Sequence, residues 1–532
     1  MAESTATTEI TSKRSGLGYW AQRVLEECDK VSQNFDADPV HDLRVALRRC
    51  RSMADGFIPI DPDPEWKQLK KLGKRLFSQL GELRDVQIMM EWVNRLGNPD
   101  DALTQALLRS LSEKERQLKD SSRETLDGFD RKHWESLARR LEKRARKIPI
   151  EGIVFQHLAV ERWEEAHLLH RRALRNRSQI AFHQLRIGLK RFRYTVENFL
   201  PKRHERWGKD LRELQDLLGE VHDLDVLWGV LSSRSDVTSQ QRHHWQTRIK
   251  EERLKRLARY RQKMVGKETL WPIWRADLPI GKQLERAALV RLRIWASFLD
   301  PDAKHSQAVT RLSLQLYQGL VHERVLRATQ ASKRILEAAA LLHDVGRAKS
   351  KQGHHKESYR LIRRLEPPLG WTLRELRAVA AVARYHCGAL PNARQKSLIQ
   401  LPSSRRASVI RLAGVLRLAN GFDLSHDQKV RKLHVERQNR ILVVKAEGYE
   451  ELGPTSERIA AARYLLETAC GTPIVVRSLI SNKGPILAVK NSQRGQSATP
   501  GCSPRRHRNV SRDAHNFRRF ASFWISPHRR DR

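Results

Sequence analysis

Five short segments between residues 305 and 423 carry side chains able to ligate a divalent ion. They are His305 in DAKHSQAV, His343 and Asp344 in EAAALLHDVGR, His354 and His355 in GHHKESY, His386 in VARYHCGALP, and Asn420 with Asp423 in LRLANGFD. Imidazole and carboxylate together suit Mn²⁺, Fe²⁺, Ni²⁺ or Zn²⁺, with Mg²⁺ a further candidate. One or two such ions would activate water for attack on a phosphoester or phosphoanhydride. A lone His-Asp pair says little. Here the pair follows an amphipathic Ala/Leu run, with one His 38 residues earlier and others 11 and 43 residues later. His305, His343 and Asp344 are the expected metal ligands, with Asp344 at the catalytic centre. His354, His355 and His386 are expected as secondary ligands or phosphate contacts.

A second chemistry is written in a repeat. HDLRVALRRCRSMADGF, beginning at His41, returns as HQLRIGLKRFRYTVENF, beginning at His183. His41 pairs with His183, Arg44 with Arg186, Arg48 with Lys190, Arg49 with Arg191, and Arg51 with Arg193. At about 100° per residue, His41, Arg44, Arg48 and Arg51 fall on one narrow face, and Arg49 falls about 80° away from His41 on the other side. Leu43, Leu47, Cys50, Ala54 and Phe57 fall opposite, toward a core. The second copy repeats this geometry. Like charges at i,i+4 repel by a few tenths of a kcal/mol per pair. An anion between two such stripes would remove that repulsion. Arginine takes phosphate oxygens two at a time and lysine adds a point charge.

These groups need elements to hold them. Apolar residues recur at three and four from residue 15 to about 280, as in LKKLGKRLFSQLGEL, which predicts helices throughout. LGELRDVQ from Leu80 matches LGEVHDLD from Leu218, and Lys71 and Lys74 correspond to Lys209 and Arg212. Further charged helices are predicted over 101–118, 132–147 and 239–264. Two such halves pack as one pseudo-symmetric bundle. Helices return from about 285 to 425, with His343-Asp344 on one of them. KLHVERQNRILVVKAEG then reads as a strand pair, SERIAAARYLLETAC as a helix and PIVVRSLI as a strand. The fold class is mainly α with a small α/β end. The domains are 15–281, 285–480, and a basic, aperiodic tail over 484–532, expected to be disordered.

The 532 residues carry a formal net charge of +40, which favours an anionic partner. No run is apolar enough to span a membrane, and the start lacks a signal peptide's apolar stretch. The five cysteines are far apart, which fits free thiols in a reducing cytosol. From residue 490 onward about eleven basic side chains face two acids, the composition of an auxiliary polyanion arm or a solvated tail.

The repeated His-x-x-Arg-(Val/Ile)-x-x-(Arg/Lys)-Arg-x-Arg pattern, with LGE-x-x-D later in each half, resembles the CHAD (conserved histidine α-helical) domain over about 15–281. The resemblance implies two helical bundles around a basic channel that binds inorganic polyphosphate. It places His41, Arg44, Arg48, Arg49, Arg51, His183, Arg186, Lys190, Arg191 and Arg193 along that channel, with Lys71, Lys74, Lys209 and Arg212 as candidates. Asp85 and Asp223 are expected to pair with arginines. The stripes offer few aromatic platforms for bases, Phe192 and Tyr194 beside the second alone, and nucleic-acid grooves usually add such platforms.

Over about 300–475, ALLHDVG, GHHKESYRLI, VARYH and LRLANGFDLSH are similar to the C-terminal HD domain of the exopolyphosphatase / guanosine-pentaphosphate phosphatase family. That family's pattern ends in Asp where this chain has Asn420, a neutral and weaker ligand. An active metal-dependent phosphohydrolase and a degenerate domain kept for binding or dimerisation both stand at this point. The expected function is binding of inorganic polyphosphate in storage, localisation or regulation, in the cytoplasm or on polyphosphate granules. No cofactor is needed for that binding. A phosphohydrolase acting on polyphosphate or a phosphorylated nucleotide, and non-specific nucleic-acid binding, are the alternatives.

Overall fold

The structure, a computed structural model, describes residues 16–479 apart from 34, 267, 393, 453 and 454. The Arg-rich tail lies outside the described residues. The first half of the repeat region is α1 (Leu17–Gln33), α2 (Ala37–Phe57), α3 (Glu65–Leu72), α4 (Lys74–Leu96), α5 (Ala102–Asp127) and α6 (Arg131–Ala145). The second is α7 (Ile153–Asn176), α8 (Gln179–Phe199), α9 (Pro201–Ser232), α10 (Ser239–Met264) and α11 (Leu270–Ala276). The helix expected over 101–118 continues to Asp127. Leu118, Ser122, Thr125 and Leu126 are buried, and Gln79 donates to the Ser121 hydroxyl at 2.7 Å. Tertiary contacts thus carry the helix through a Ser-rich turn of weak propensity.

The stripe helices α2 and α8 pack on each other, and so do α4 and α9. Phe57 and Phe199 occupy equivalent repeat positions, and their rings meet edge to face at 5.3 Å. That contact marks the pseudo-two-fold relation between the halves. Gly56 makes it feasible, since a Cβ there would lie 2.3 Å from the Phe199 ring. Leu43, Leu47, Cys50, Ala54 and Phe57 of α2 are all buried, as the wheel requires. The halves differ at Gly73, which separates α3 from α4 and faces the Trp134 ring; α9 runs unbroken through the corresponding stretch.

Buried apolar side chains form one core from Leu17 to Leu278 and another from Ala288 to Val476. The second is built by α12 (Gly281–Ser297), α13 (Ala303–His322), α14 (Gln330–Leu342), α15 (His354–Arg363), α16 (Leu373–Arg384), α17 (Lys396–Ile399), α18 (Ser403–Gly421) and α19 (Thr455–Cys470). A sheet of β1 (Lys432–Gln438), β2 (Ile441–Glu447) and β3 (Ile474–Leu479) closes it. β1 and β2 are antiparallel, Val435 opposite Val444, and β3 adds parallel to β2 after α19. No helix of the described residues is long and apolar enough to cross a membrane.

Helix α12 joins the cores. Its buried Arg291 pairs with Glu161 of α7 at 2.6 Å and donates to the Pro59 carbonyl. The same Glu161 oxygen accepts the Leu369 backbone N–H at 3.0 Å. Glu161→Ala would leave Arg291 buried without a counter-charge, which costs about 3–5 kcal/mol. Calorimetry should show a lowered and broadened transition for that variant, with recovery in the Glu161→Ala/Arg291→Met double variant; equal melting of wild type and single variant would deny the junction this role.

Candidate functional site

Ser178 caps α8 by accepting the Ala181 N–H, and one turn later His183 opens the second stripe. The two stripes face the same space, but their cations divide into two groups. Arg49 pairs with Glu197 across the helix interface and donates to Asn198 at 3.0 Å. Arg193 is buried, pairs with the same Glu197 at 3.4 Å and donates to Gln215 at 2.8 Å. Arg191 turns outward to Glu165 at 2.7 Å. These three hold helices together. Arg44, Arg48, Arg51, Arg186 and Lys190, by contrast, form no ion pair among the described residues. Lys71, Lys74, Lys209 and Arg212 are exposed, and the last two share a groove with Glu205, Glu213, Asp216 and Glu220, a surface of mixed charge.

Crowding shows in the acid–base balance. Burial, then the cations of Arg186 and Arg48, push Lys190 down to about 7, against the raising pull of Asp223. Burial likewise brings Arg44 down to about 10. Asp223 is pushed up to about 6 by burial, although Arg186 and Lys190 pull the other way. Asp85 stands in the field of Arg44 from its own half and of Arg186 and Lys190 from the other. Neither acid forms an ion pair among the described residues, a departure from the expected Asp–Arg pairing; they act through space. His41 is held below its ordinary value by lost hydration and by Arg48 and Arg84. His183 stacks obliquely on His222, Nδ1 to Nδ1 at 3.3 Å.

Aromatic rings here serve the cations. Arg44 and Arg51 lie over Phe77 at 5.1 and 5.0 Å. Tyr194 lies between Arg48 and Arg193 at 5.6 and 4.8 Å, and Phe192 is buried. Gly81 lets Arg44 lie flat, since a Cβ would stand 2.8 Å from its guanidinium. Arg186 Nε and the Tyr194 hydroxyl are enclosed without a hydrogen-bond partner among the described residues. Phe77, Arg84 and His222 were not singled out in the sequence, although Arg84 and His222 occupy the same place in LGELRD and LGEVHD.

In the second core His343 and Asp344 do not lie on a helix, as the sequence suggested. α14 ends at Leu342, and the pair sits in the turn before a 3-10 segment, Val345–Ala348. On a continuous helix neighbouring side chains diverge by about 100°; leaving it lets both face one point. Gly346 makes the turn close: a Cβ would lie 2.1 Å from the His354 carbonyl oxygen. The Gly346 N–H donates to the Ser358 hydroxyl, which donates to the His343 carbonyl at 2.6 Å. Asp302 caps α13 through the His305 N–H and pairs with His426 at 2.7 Å, whose ring stacks on His305 at 3.9 Å.

The donor set fits a divalent ion. His343 Nδ1 donates to the Ala340 carbonyl at 2.7 Å, and His305 Nδ1 donates to Asp423 at 2.8 Å. Both Nε2 atoms therefore present lone pairs, and they face each other at 3.3 Å. Asp344 Oδ1 lies 3.7 Å from His343 Nε2, and Oδ2 lies 3.9 Å from His305 Nε2. Asn420 Oδ1 stands 3.1 Å from His305 Nε2. The donor atoms of His305, His343 and Asp344 lie within 4.8 Å of one another, a spacing that suits one divalent ion. Asp423 orients His305 through the ring nitrogen opposite the one that faces Asn420. Burial alone would raise the Asp344 carboxyl, but His343, His354, His386 and Arg347 hold it well below the carboxylate range. His354 and His386 stand on the other side of Asp344, 3.2 and 3.6 Å from Oδ1. His355 lies edge to face with the His354 and His386 rings, centroids 5.7 and 6.4 Å away, and packs against Gly388.

Residues 20–232 match the CHAD domain, and residues 295–448 match the Ppx/GppA phosphatase, domain III. Among curated proteins none matches the chain. The repeat with its facing basic helices and the His/Asp turn with its helical surround are thus parts of two recognised units: the chain carries a CHAD domain followed by a Ppx/GppA phosphatase domain III.

Proposed function

We propose that this protein binds inorganic polyphosphate between α2 and α8. The observation carrying this reading is the set of cations without an ion pair among the described residues, Arg44, Arg48, Arg186 and Lys190, where burial and then the neighbouring cations hold Lys190 at about 7. A chain of phosphates supplies closely spaced negative charge and acceptor oxygens without bases. The nearby rings are already covered by arginines, which disfavours base stacking and hence nucleic acid as the ligand. Both matched domains fit a polyphosphate-related role, in the cytoplasm or at granules. The test is competition: full-length protein should retain labelled polyphosphate against single- and double-stranded nucleic acid at equal phosphate concentration. Displacement by either would remove the claimed preference.

Proton linkage gives an independent check. An anion beside Lys190 and Asp223 stabilises the protonated form of each, so binding near pH 7–8 takes up protons and affinity falls as pH rises through 7. Calorimetry in buffers of different ionisation enthalpy should show this uptake, reduced in Lys190→Met; equal heats in all buffers would contradict it. The free protein has the matching dependence. Lys190 binds its proton more weakly folded than unfolded, so its contribution makes stability rise with pH above about 7.

The facing lone pairs of His305 and His343 favour a second reading, a metal-dependent phosphohydrolase. His305, His343 and Asp344 would hold a divalent ion, Asn420 would lend a neutral oxygen, and His354 with His386 would serve a second ion across Asp344. Such an ion supplies Lewis-acid polarisation of a phosphoryl oxygen. Asp423 and the Ala340 carbonyl fix the two imidazoles in the ligating tautomer, and Arg347 supplies a cation beside Asp344. Phosphate release from polyphosphate with Mn²⁺ or Mg²⁺, abolished in His343→Ala and Asp344→Ala, is the expected result; no release with intact binding would leave the binding function alone.

A further inference from the structure

Cys387 follows His386 directly. α16 ends at Arg384, and Gly388 turns the chain back with φ +72°, its α-carbon closed off by His355, 2.8 Å from where a Cβ would lie. That turn brings the Cys387 sulfur to 3.6 Å from His354 Nε2. His354 Nε2 in turn lies 3.1 Å from His386 Nε2. His386 donates its Nδ1–H to the Ala383 carbonyl at 2.7 Å, and His354 Nδ1 lies 3.2 Å from the Lys351 carbonyl. Both Nε2 atoms thereby face inward, toward Asp344 Oδ1 and, for His354, the Cys387 sulfur. The donor atoms of His354, His386 and Cys387 all lie within 4.8 Å of one another, as do those of His305, His343 and Asp344.

We propose that Cys387 is a metal ligand, and that its thiolate makes the position bounded by His354, His386, Cys387 and Asp344 Oδ1 selective for a thiophilic ion, Zn²⁺. The inference rests on the divalent-ion reading above and adds to it an asymmetry. On the His305 side every donor is nitrogen or oxygen and one of them is a neutral amide, so no donor there is specifically thiophilic and Fe²⁺ or Mn²⁺ is accommodated. On the Cys387 side two imidazoles and one sulfur lie within 4.8 Å of one another, a mixed nitrogen and sulfur set of the kind Zn²⁺ takes in four-coordinate sites, with Asp344 Oδ1 beside the two imidazoles. Binding releases the thiol proton to solvent and leaves the sulfur as thiolate. Asp344 then lies between two unlike positions. The sequence hides this, because a cysteine next to a histidine has no ligand spacing of its own; the turn at Gly388 creates it.

The experiment uses full-length protein stripped with chelator and titrated anaerobically with Co²⁺. A near-ultraviolet sulfur-to-cobalt charge-transfer band is expected, removed by Zn²⁺ at lower concentration than by Mn²⁺. Cys387→Ser should abolish the band and weaken Zn²⁺ binding at least about 10-fold, since even outer partners of a metal ligand are worth that much. His305→Ala and Cys470→Ser should leave the band intact. Cys387→Ala, with melting temperatures for every variant, separates ligand loss from misfolding. Co²⁺ uptake by the wild type without a thiolate band, or a band that survives Cys387→Ser, overturns the role of Cys387 while the two-position reading stands. Failure of the wild type to take up any ion overturns both.

Discussion

Replacing Arg48, Arg186 and Lys190 together by Gln, Gln and Met is expected to abolish polyphosphate binding while leaving the melting temperature unchanged or raised. Each charge-assisted hydrogen bond is worth about 1.5–3 kcal/mol, so three lost together weaken binding by about three orders of magnitude or more. The slope of log affinity against log salt should fall by roughly 0.7 per cation removed. Stability moves the other way because none of the three is ion-paired among the described residues and all repel their neighbours. Arg49→Gln is the contrasting control. It removes a partner of the nearly buried Glu197 and should lower the melting temperature more than it lowers affinity. Titration calorimetry and thermal denaturation of the same samples read both signs. A triple variant that binds normally would eliminate the α2–α8 site.

Asn420→Asp should change the sign of its own effect when metal is added. Asn420 is 7% exposed and stands beside His305. In chelator the new carboxylate adds a third negative charge around His305, beside Asp344 and Asp423, and should cost about 1–3 kcal/mol. With Mn²⁺ the same charge becomes a ligand, and one more unit charge at ligand distance should tighten binding about 10-fold or more. The variant therefore melts below wild type in chelator and shows the larger upward shift on Mn²⁺ addition. Equal shifts for both proteins would mean that no ion is held beside residue 420.

The stripes were readable in the sequence because they need only the helical period: charge at i, i+3 and i+7, apolar residues opposite. What that period cannot show is which cations are already engaged. Arg49 finds Glu197 148 residues away, and Arg193 finds Gln215 on the next helix, so positions that look alike on a wheel separate into fasteners and free charges. In the second core the His and Asp positions were legible as a set, and their assembly was not. The turn at Gly346 takes His343 and Asp344 off the helix, and Asp423 stands behind His305 rather than beside Asn420. Both depend on where a helix stops, which propensity fixes poorly. Cys387 was set aside with the other free thiols for the same reason.

The carboxylate of Glu161 has one more consequence. By holding Arg291 of the joining helix and the Leu369 amide of the loop between α15 and α16 at once, it replaces a tether with a joint. Two sites on a flexible linker meet at an effective concentration set by linker length. Here that concentration is set by geometry and does not dilute with motion. A polyanion long enough to reach from one site to the other would gain avidity in a single step of length, and shorter ones would gain none.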